Sequence, residues 1–384
     1  MGAMTERERF RETLLFGKPD RLPLDPGGPS PGGPRESTLA AWRRQGLPAD
    51  VHWYAYLMQV LGIPYEPPAP HVSPGVSFSM LPTFEEKVLG RRDGRVIVQD
   101  WMGAIVEIPD VYDLGYLRTP KDFVTRRWHR FPVQDRRDWE EQIAWRYDSC
   151  HPARFPADFE ARCHALRDRD HVLRVNFRGL FWQLRDWCGL EGLCLLMIDD
   201  PDFVREMVDF YADFILRTLT PVLEQVVLDY VQVAEDMAYK LHSMISPAMA
   251  RRFFLPTWKQ WIRAIRASGC PIVCMHCDGY MAEMLPLWIE AGFNCCYPVE
   301  VAAGNNIVAF RGQYGRQMAY IGGIDKRALA AGGEILRTEV MRVLPPLLEE
   351  GGFIPACDHA VPPDVSWPHF VEYTRLLAQL TGWL

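Results

Sequence analysis

From residue 171 onward the chain repeats one pattern, in which a short apolar, β-rich run is followed by a longer helical stretch. The runs are HVLRVNF (171–177), YVQVAED (230–236), PIVCMHC (271–277), CCYPVE (295–300), MAYIGGI (318–324) and FIPACDH (353–359). Strands that alternate with helices at this spacing are joined by crossovers and therefore lie parallel. Runs that are apolar at nearly every position belong to strands covered on both faces. Several intervening helices end in glycine just before the next strand, at Ser268-Gly269, Ala291-Gly292 and Gly351-Gly352, where a helix commonly turns left-handed. Two architectures meet these conditions: a doubly wound open sheet and a closed (β/α)8 barrel.

The placement of polar residues separates them. Successive strands end in ionisable groups: Glu235 and Asp236, His276 and Asp278, Glu300, Asp325, and Asp358 with His359. In a barrel all strand C-termini open onto one mouth, so these groups converge on a single site. An open sheet spreads them along an edge and carries a glycine-rich phosphate turn, which Gly322-Gly323 does not match. The sequence therefore predicts an α/β fold, a (β/α)8 TIM barrel. Residues 171 to 384 supply six parallel strands, and the earlier ones come from 21–26 and from a segment between 50 and 80.

The first 160 residues have another texture: 18 of the 31 prolines lie in residues 1–156, which implies loops and extended pieces. Thr5 and Glu8 form a capping box for a first helix with Phe10 and Leu14 on one face, ending by Gly17-Lys18-Pro19. RLPLDP (21–26) reads as a short strand, GGPSPGGP (27–34) as a loop, and RVIVQDWMGAIVEIP (95–109) as a hairpin turning at Trp101-Met102-Gly103. Residues 1–160 are expected to form an extension that covers the mouth, and 161–384 the main part of the barrel. Trp53, Tyr54 and Tyr56, with Trp101 and Trp128, are placed to stack on a planar substrate or to fill the core; Trp53, Tyr54, Trp101 and Asp325 are the substrate-binding candidates.

Composition narrows the partners. With 48% hydrophobic and 24% charged residues the 384-residue chain buries a large core, and its formal charge of −7 opposes binding to nucleic acid, which demands a basic surface. No apolar run approaches the ~20 residues of a membrane span, and the charged start MGAMTERERF lacks a signal peptide's apolar region. A cytoplasmic protein with a small-molecule substrate is expected. The ten cysteines are too dilute for a disulfide framework and read as core filler.

The segments PIVCMHCDGYMAEMLPLWIEAGFNCCYPVEVAAGNN, MAYIGGIDKRALAAG and GGFIPACDHAVPPDV, with VAEDMAYKLHSMISP and RERFRETLLFGKPDRLPL, together resemble the uroporphyrinogen decarboxylase superfamily, including its cobalamin-dependent methyltransferase branch. The resemblance implies a distorted (β/α)8 barrel with an added N-terminal segment over the mouth. The decarboxylase itself carries an arginine-rich RQAGR motif; here the corresponding region, LDPGGPSPGGPRESTLAAWRRQG, offers Arg35, Arg43 and Arg44 in another order. The methyltransferase branch holds zinc through His-x-Cys and a later cysteine; here Asp278 stands at that first cysteine's position.

Zinc accepts imidazole, thiolate and carboxylate ligands and, in catalytic sites, keeps one position open. His276 and Asp278, with His359 or Cys357 as the third ligand, form the candidate metal set; the alternative makes them hydrogen-bonding residues of a metal-free mouth. Asp236, Glu235, Glu300 and His359 are the catalytic candidates. The resemblance gives Asp236 the place of the decarboxylase's pyrrole-facing aspartate, Glu300 serves as ligand, base or ion-pair partner, and Asp325 equally caps the helix after it. Three activities follow. The first is methyl transfer with a corrinoid as substrate, carried by a separate corrinoid-binding protein. The second is cofactor-free decarboxylation of a tetrapyrrole or aromatic acid, and the third is non-catalytic binding of a corrinoid or tetrapyrrole.

Overall fold

A computed structural model describes residues 3–27, 34–65, 72–118 and 124–384, so most of the GGPSPGGP segment lies outside the described residues. All six expected strands form: β5 (Arg174–Arg178), β6 (Tyr230–Ala234), β7 (Ile272–His276), β8 (Cys295–Tyr297), β9 (Ala319–Ile324) and β10 (Phe353–Cys357). They pair in sequence order and in parallel, each crossover carrying helix, which is the (β/α)8 barrel arrangement. Val72, inside the predicted 50–80 segment, makes one parallel bridge to Leu173 beside β5. Residues 22–25 are not a laddered strand. Pro23 has no N–H to give, and the Leu22 amide donates instead to the Thr381 carbonyl at 3.1 Å.

Alternation along the strands sorts side chains into two cores. Val172, Tyr230, Ile272, Cys274, Cys295, Ala319, Ile321 and Ile354 fill the lumen, while Val231, Val273, Met275, Cys296 and Cys357 pack toward the helices. Adjacent Cys295 and Cys296 thus face opposite sides, and every cysteine is free. The base of the lumen is closed by α1 (Glu6–Leu14), whose capping box forms as read; Phe10 and Leu14 plug the lumen. Asp229, fully buried, fixes α1 to the base by taking Arg7 at 2.8 Å, Arg11 at 2.9 Å and Arg169 at 2.8 Å.

In the N-terminal region β1 (Lys87–Arg92), β2 (Arg95–Gln99), β3 (Ile105–Pro109) and β4 (Arg127–Arg130) make a four-stranded antiparallel sheet. The predicted hairpin is β2–β3. Its turn is tied by Asp100, whose Oδ1 accepts the Met102 and Ala104 amides at 2.9 and 3.0 Å. Gly103 sits at φ 90°, and a Cβ there would meet the Phe84 ring at 2.7 Å, so the turn needs glycine. Among the described residues no helix is long and apolar enough to cross a membrane.

Candidate active site

The polar strand ends meet in a cavity of about 690 Å³ at the C-terminal end of the barrel. Asn176 and Arg178 of β5, Gln232 of β6, His276 of β7 and, just beyond the strands, Asp278 and His359 form its polar wall, and Trp101 and Met102 of the hairpin tip cover it. Trp101 and Met102 of the N-terminal region thus line the pocket.

Asp278 sits between two imidazoles. His276 Nε2 is 3.7 Å from Oδ1, and His359 Nε2 is 3.5 Å from Oδ2. Their protonation equilibria are driven apart. Burial, the largest influence on His276, lowers its pKa against the nearby Asp278 and Asp236 charges. Burial also acts to lower His359, but its hydrogen bond with Asp278 and that residue's charge outweigh it, so its pKa ends above the ordinary value. Burial acts to raise Asp278, yet His359, His276 and Lys326 hold it below the usual carboxylate range. The arrangement disfavours a charge on His276 and favours an anionic Asp278 and a proton on His359. Titratable neighbours pushed in opposite directions are the mark of an acid–base site.

A charged layer supports this group. Glu300 accepts the Lys326 ammonium at 2.8 Å and the Gly279 amide at 3.1 Å, while Lys326 lies 3.9 Å from Asp358. Asp358, fully buried, also accepts the Val301 amide at 2.8 Å and that of Lys326 at 3.2 Å. Glu300 is thus an ion-pair partner of Lys326 that fixes the loop carrying Asp278. Lys326 was not among the sequence candidates; its only signal is its place directly after a strand-end aspartate.

Other candidates fall elsewhere. Glu235 does not face the mouth: it is fully buried on the opposite side of the chain from Ala234, where it accepts the Leu180 and Phe181 amides at 3.0 and 2.7 Å and the Trp258 indole at 2.6 Å. It caps the helix Leu180–Cys188, a structural role. Asp236, at φ 41°, is held by Arg185 at 2.6 Å, beside rather than within the set of cavity-lining residues. Cys357 is buried in the layer between barrel and helices, because the ladder ends there and alternation does not carry on to His359. Trp53 packs on Trp42 and Phe370 and Tyr54 donates to the Leu24 carbonyl at 3.0 Å, so of the aromatic substrate-binding candidates Trp101 alone lines the cavity. Asp325 caps the helix Lys326–Ala331 by accepting the Arg327 amide at 2.9 Å. Asp325→Ala is accordingly expected to lower unfolding stability by about 1 kcal/mol in a urea titration while leaving turnover unchanged.

Two imidazoles and a carboxylate suit zinc by donor type, and His276 Nδ1 and Asp278 Oδ1 are buried without a hydrogen-bond partner. The two histidines nevertheless address different oxygens of Asp278, and among the described residues no three His, Cys, Asp or Glu side chains are grouped to hold a metal. The donors as arranged do not fit a three-ligand zinc centre, so the chemistry of the site is derived from its protons.

Residues 187–375 match the sequence model of the family described as uroporphyrinogen decarboxylase (URO-D). Among solved structures, a methyltransferase from Methanosarcina mazei is similar with a TM-score of 0.52 at 12% identity, over 98% of this chain and 99% of that one. No curated protein sequence matches.

Proposed function

We propose that this chain, whose residues 187–375 match the uroporphyrinogen decarboxylase family model, is a small-molecule methyltransferase that works with a corrinoid substrate. The observation that carries the reading is Asp278 set between His276 at 3.7 Å and His359 at 3.5 Å, an environment that favours the proton on His359 over one on His276. Taking a methyl group from oxygen or nitrogen leaves an electron pair on that atom, which must gain a proton as the bond breaks. His359 supplies it, Asp278 stabilises the donor before transfer, and in the reverse direction the same pair receives the proton. The reduced corrinoid supplies the nucleophile that accepts the methyl group. At about 690 Å³ the pocket is of small-molecule size, so the corrinoid is presented at the mouth by a separate carrier protein. The whole-chain likeness to a methyltransferase supports this reading.

A second reading rests on the same His359–Asp278 pair: cofactor-free decarboxylation, in which His359 protonates the carbon that carbon dioxide leaves. Incubation with candidate methyl donors and reduced corrinoid, followed by the corrinoid's absorption spectrum and by carbon dioxide release, separates the two. Corrinoid-dependent methyl loss without carbon dioxide supports methyl transfer; carbon dioxide release without corrinoid overturns it. Elemental analysis is expected to find no stoichiometric zinc, and His276→Ala to reduce turnover without changing metal content.

A further inference from the structure

Arg178 ends β5 facing the cavity and is committed on one side only. Its Nη1 pairs with Asp186 and lies 3.5 Å from Met102 Sδ, whereas among the described residues no protein acceptor takes Nε or Nη2. Two indoles flank the guanidinium, its central carbon lying 5.8 Å from the Trp101 ring and 5.4 Å from that of Trp182. A guanidinium with a free Nε–Nη2 edge, held beside two rings and by the Asp186 carboxylate that lines the same cavity, is a preorganised fork for a second carboxylate. Trp182 continues inward: its ring lies within 25° of parallel to the His276 imidazole, with 6.3 Å between centroids. Arg178, Trp182 and His276 thus mark a line from an anion-binding end to the proton-carrying end, along a flat aromatic wall.

We infer that the small molecule is a planar aromatic carboxylate, its carboxylate on the Nε–Nη2 edge of Arg178 and its ring lying along Trp182, with the reacting group carried at the far side of the ring beside His276, Asp278 and His359. The inference rests on the methyl-transfer reading for the nature of that reacting group, an O-methyl or N-methyl substituent. There the heteroatom–methyl bond breaks, its electron pair stays on the heteroatom, the methyl group passes to the reduced corrinoid, and the heteroatom takes the proton from His359. An aliphatic acid of the same length would use the fork but leave the indole face uncovered, forfeiting apolar and stacking contact.

The test is equilibrium binding to the purified protein, without corrinoid, followed by tryptophan fluorescence and calorimetry, using 4-methoxybenzoate, its neutral amide 4-methoxybenzamide, and hexanoate. The benzoate is expected to bind about 10- to 100-fold more tightly than the amide, the range for a bidentate charge-assisted pair, and also more tightly than hexanoate. Arg178→Gln is expected to erase the preference for the carboxylate while leaving the amide's affinity within about twofold. Because that change strands Asp186, the double variant Arg178→Gln/Asp186→Asn keeps the site neutral and is expected to bind both ligands alike. Equal binding of benzoate and amide by the wild type, a preference retained in the double variant, or hexanoate binding as well as the benzoate would each overturn the inference. Carboxylate-selective binding without methyl transfer leaves this inference standing and removes the proposed function. Methyl transfer that ignores the carboxylate does the reverse.

Discussion

His359→Ala is expected to lower kcat by about 10² to 10⁴-fold, the usual weight of a positioned general acid, with the fold intact because the side chain borders a cavity. Asp278→Asn tests how that acid is tuned. The wild-type rate should fall as pH rises through the elevated pKa of His359, since the proton to be donated is then gone, and fall again as pH drops through the depressed pKa of Asp278. Replacing the carboxylate by an amide removes the charge that raises His359, so the alkaline limb of the profile should move to lower pH while the acidic limb disappears. An unshifted alkaline limb in Asp278→Asn would show that His359 is not the group titrating in the rate. Initial rates from about pH 2.5 to 10 on both variants make the measurement, a range that brackets the ordinary values of about 3.9 for aspartate and about 6.5 for histidine.

The second large effect is on stability. Glu235→Ala strands the Leu180 and Phe181 amides and the Trp258 indole N–H, all three now bonded to its carboxyl. Buried donors left unmade cost roughly 1 to 3 kcal/mol each, so a loss of about 3 to 5 kcal/mol is expected once partial hydration of the gap is allowed for. Small side chains nearby do not relieve it, because Gly179 is already so close that a Cβ there would overlap the carboxyl. Burial, opposed by the Trp258 bond and the backbone amides, raises the pKa of Glu235 from 4.5 to about 7. The folded state then holds the proton more tightly than the unfolded chain, so the contribution is full below about 4.5 and is lost as pH climbs towards 7. Urea midpoints should decline over that interval in the wild type and stay level in Glu235→Gln, which cannot ionise. A Glu235→Ala protein as stable as the wild type would mean that water replaces all three bonds.

Both predictions turn on something only partly legible in the sequence. The barrel was readable because its evidence is repetitive: six apolar runs, each with a helix after it, admit few arrangements. The hairpin at Trp101 and the cap at Thr5 were readable because turn and cap chemistry is local. RLPLDP misled because apolar alternation says nothing of hydrogen bonding, and Pro23 removes a ladder donor. Glu235 and Asp236 are adjacent acids whose roles diverge by parity alone: with Gln232 and Ala234 lining the cavity, the odd-numbered neighbour must point to the helices. Parity also hid Arg178 in plain view, since Arg174, Asn176 and Arg178 are polar at every second position of a strand otherwise apolar, the signature of a wetted lumen. Cys357 and His359 escaped the rule because it holds only while the ladder lasts. Lys326 could not be found at all, since one lysine after an aspartate has no periodicity to betray it.

The plug at the base of the barrel has a kinetic corollary. With Phe10 and Leu14 filling the amino-terminal end of the lumen, the pocket is closed at its base among the described residues. A reactant too large to enter must stand at the mouth, over whatever has already gone in, so arrivals queue and departures occur last in, first out. Steady-state rates should therefore follow an ordered sequence in which the compact reactant binds first and leaves last, and an excess of the bulky one should slow turnover by detaining the spent molecule beneath it.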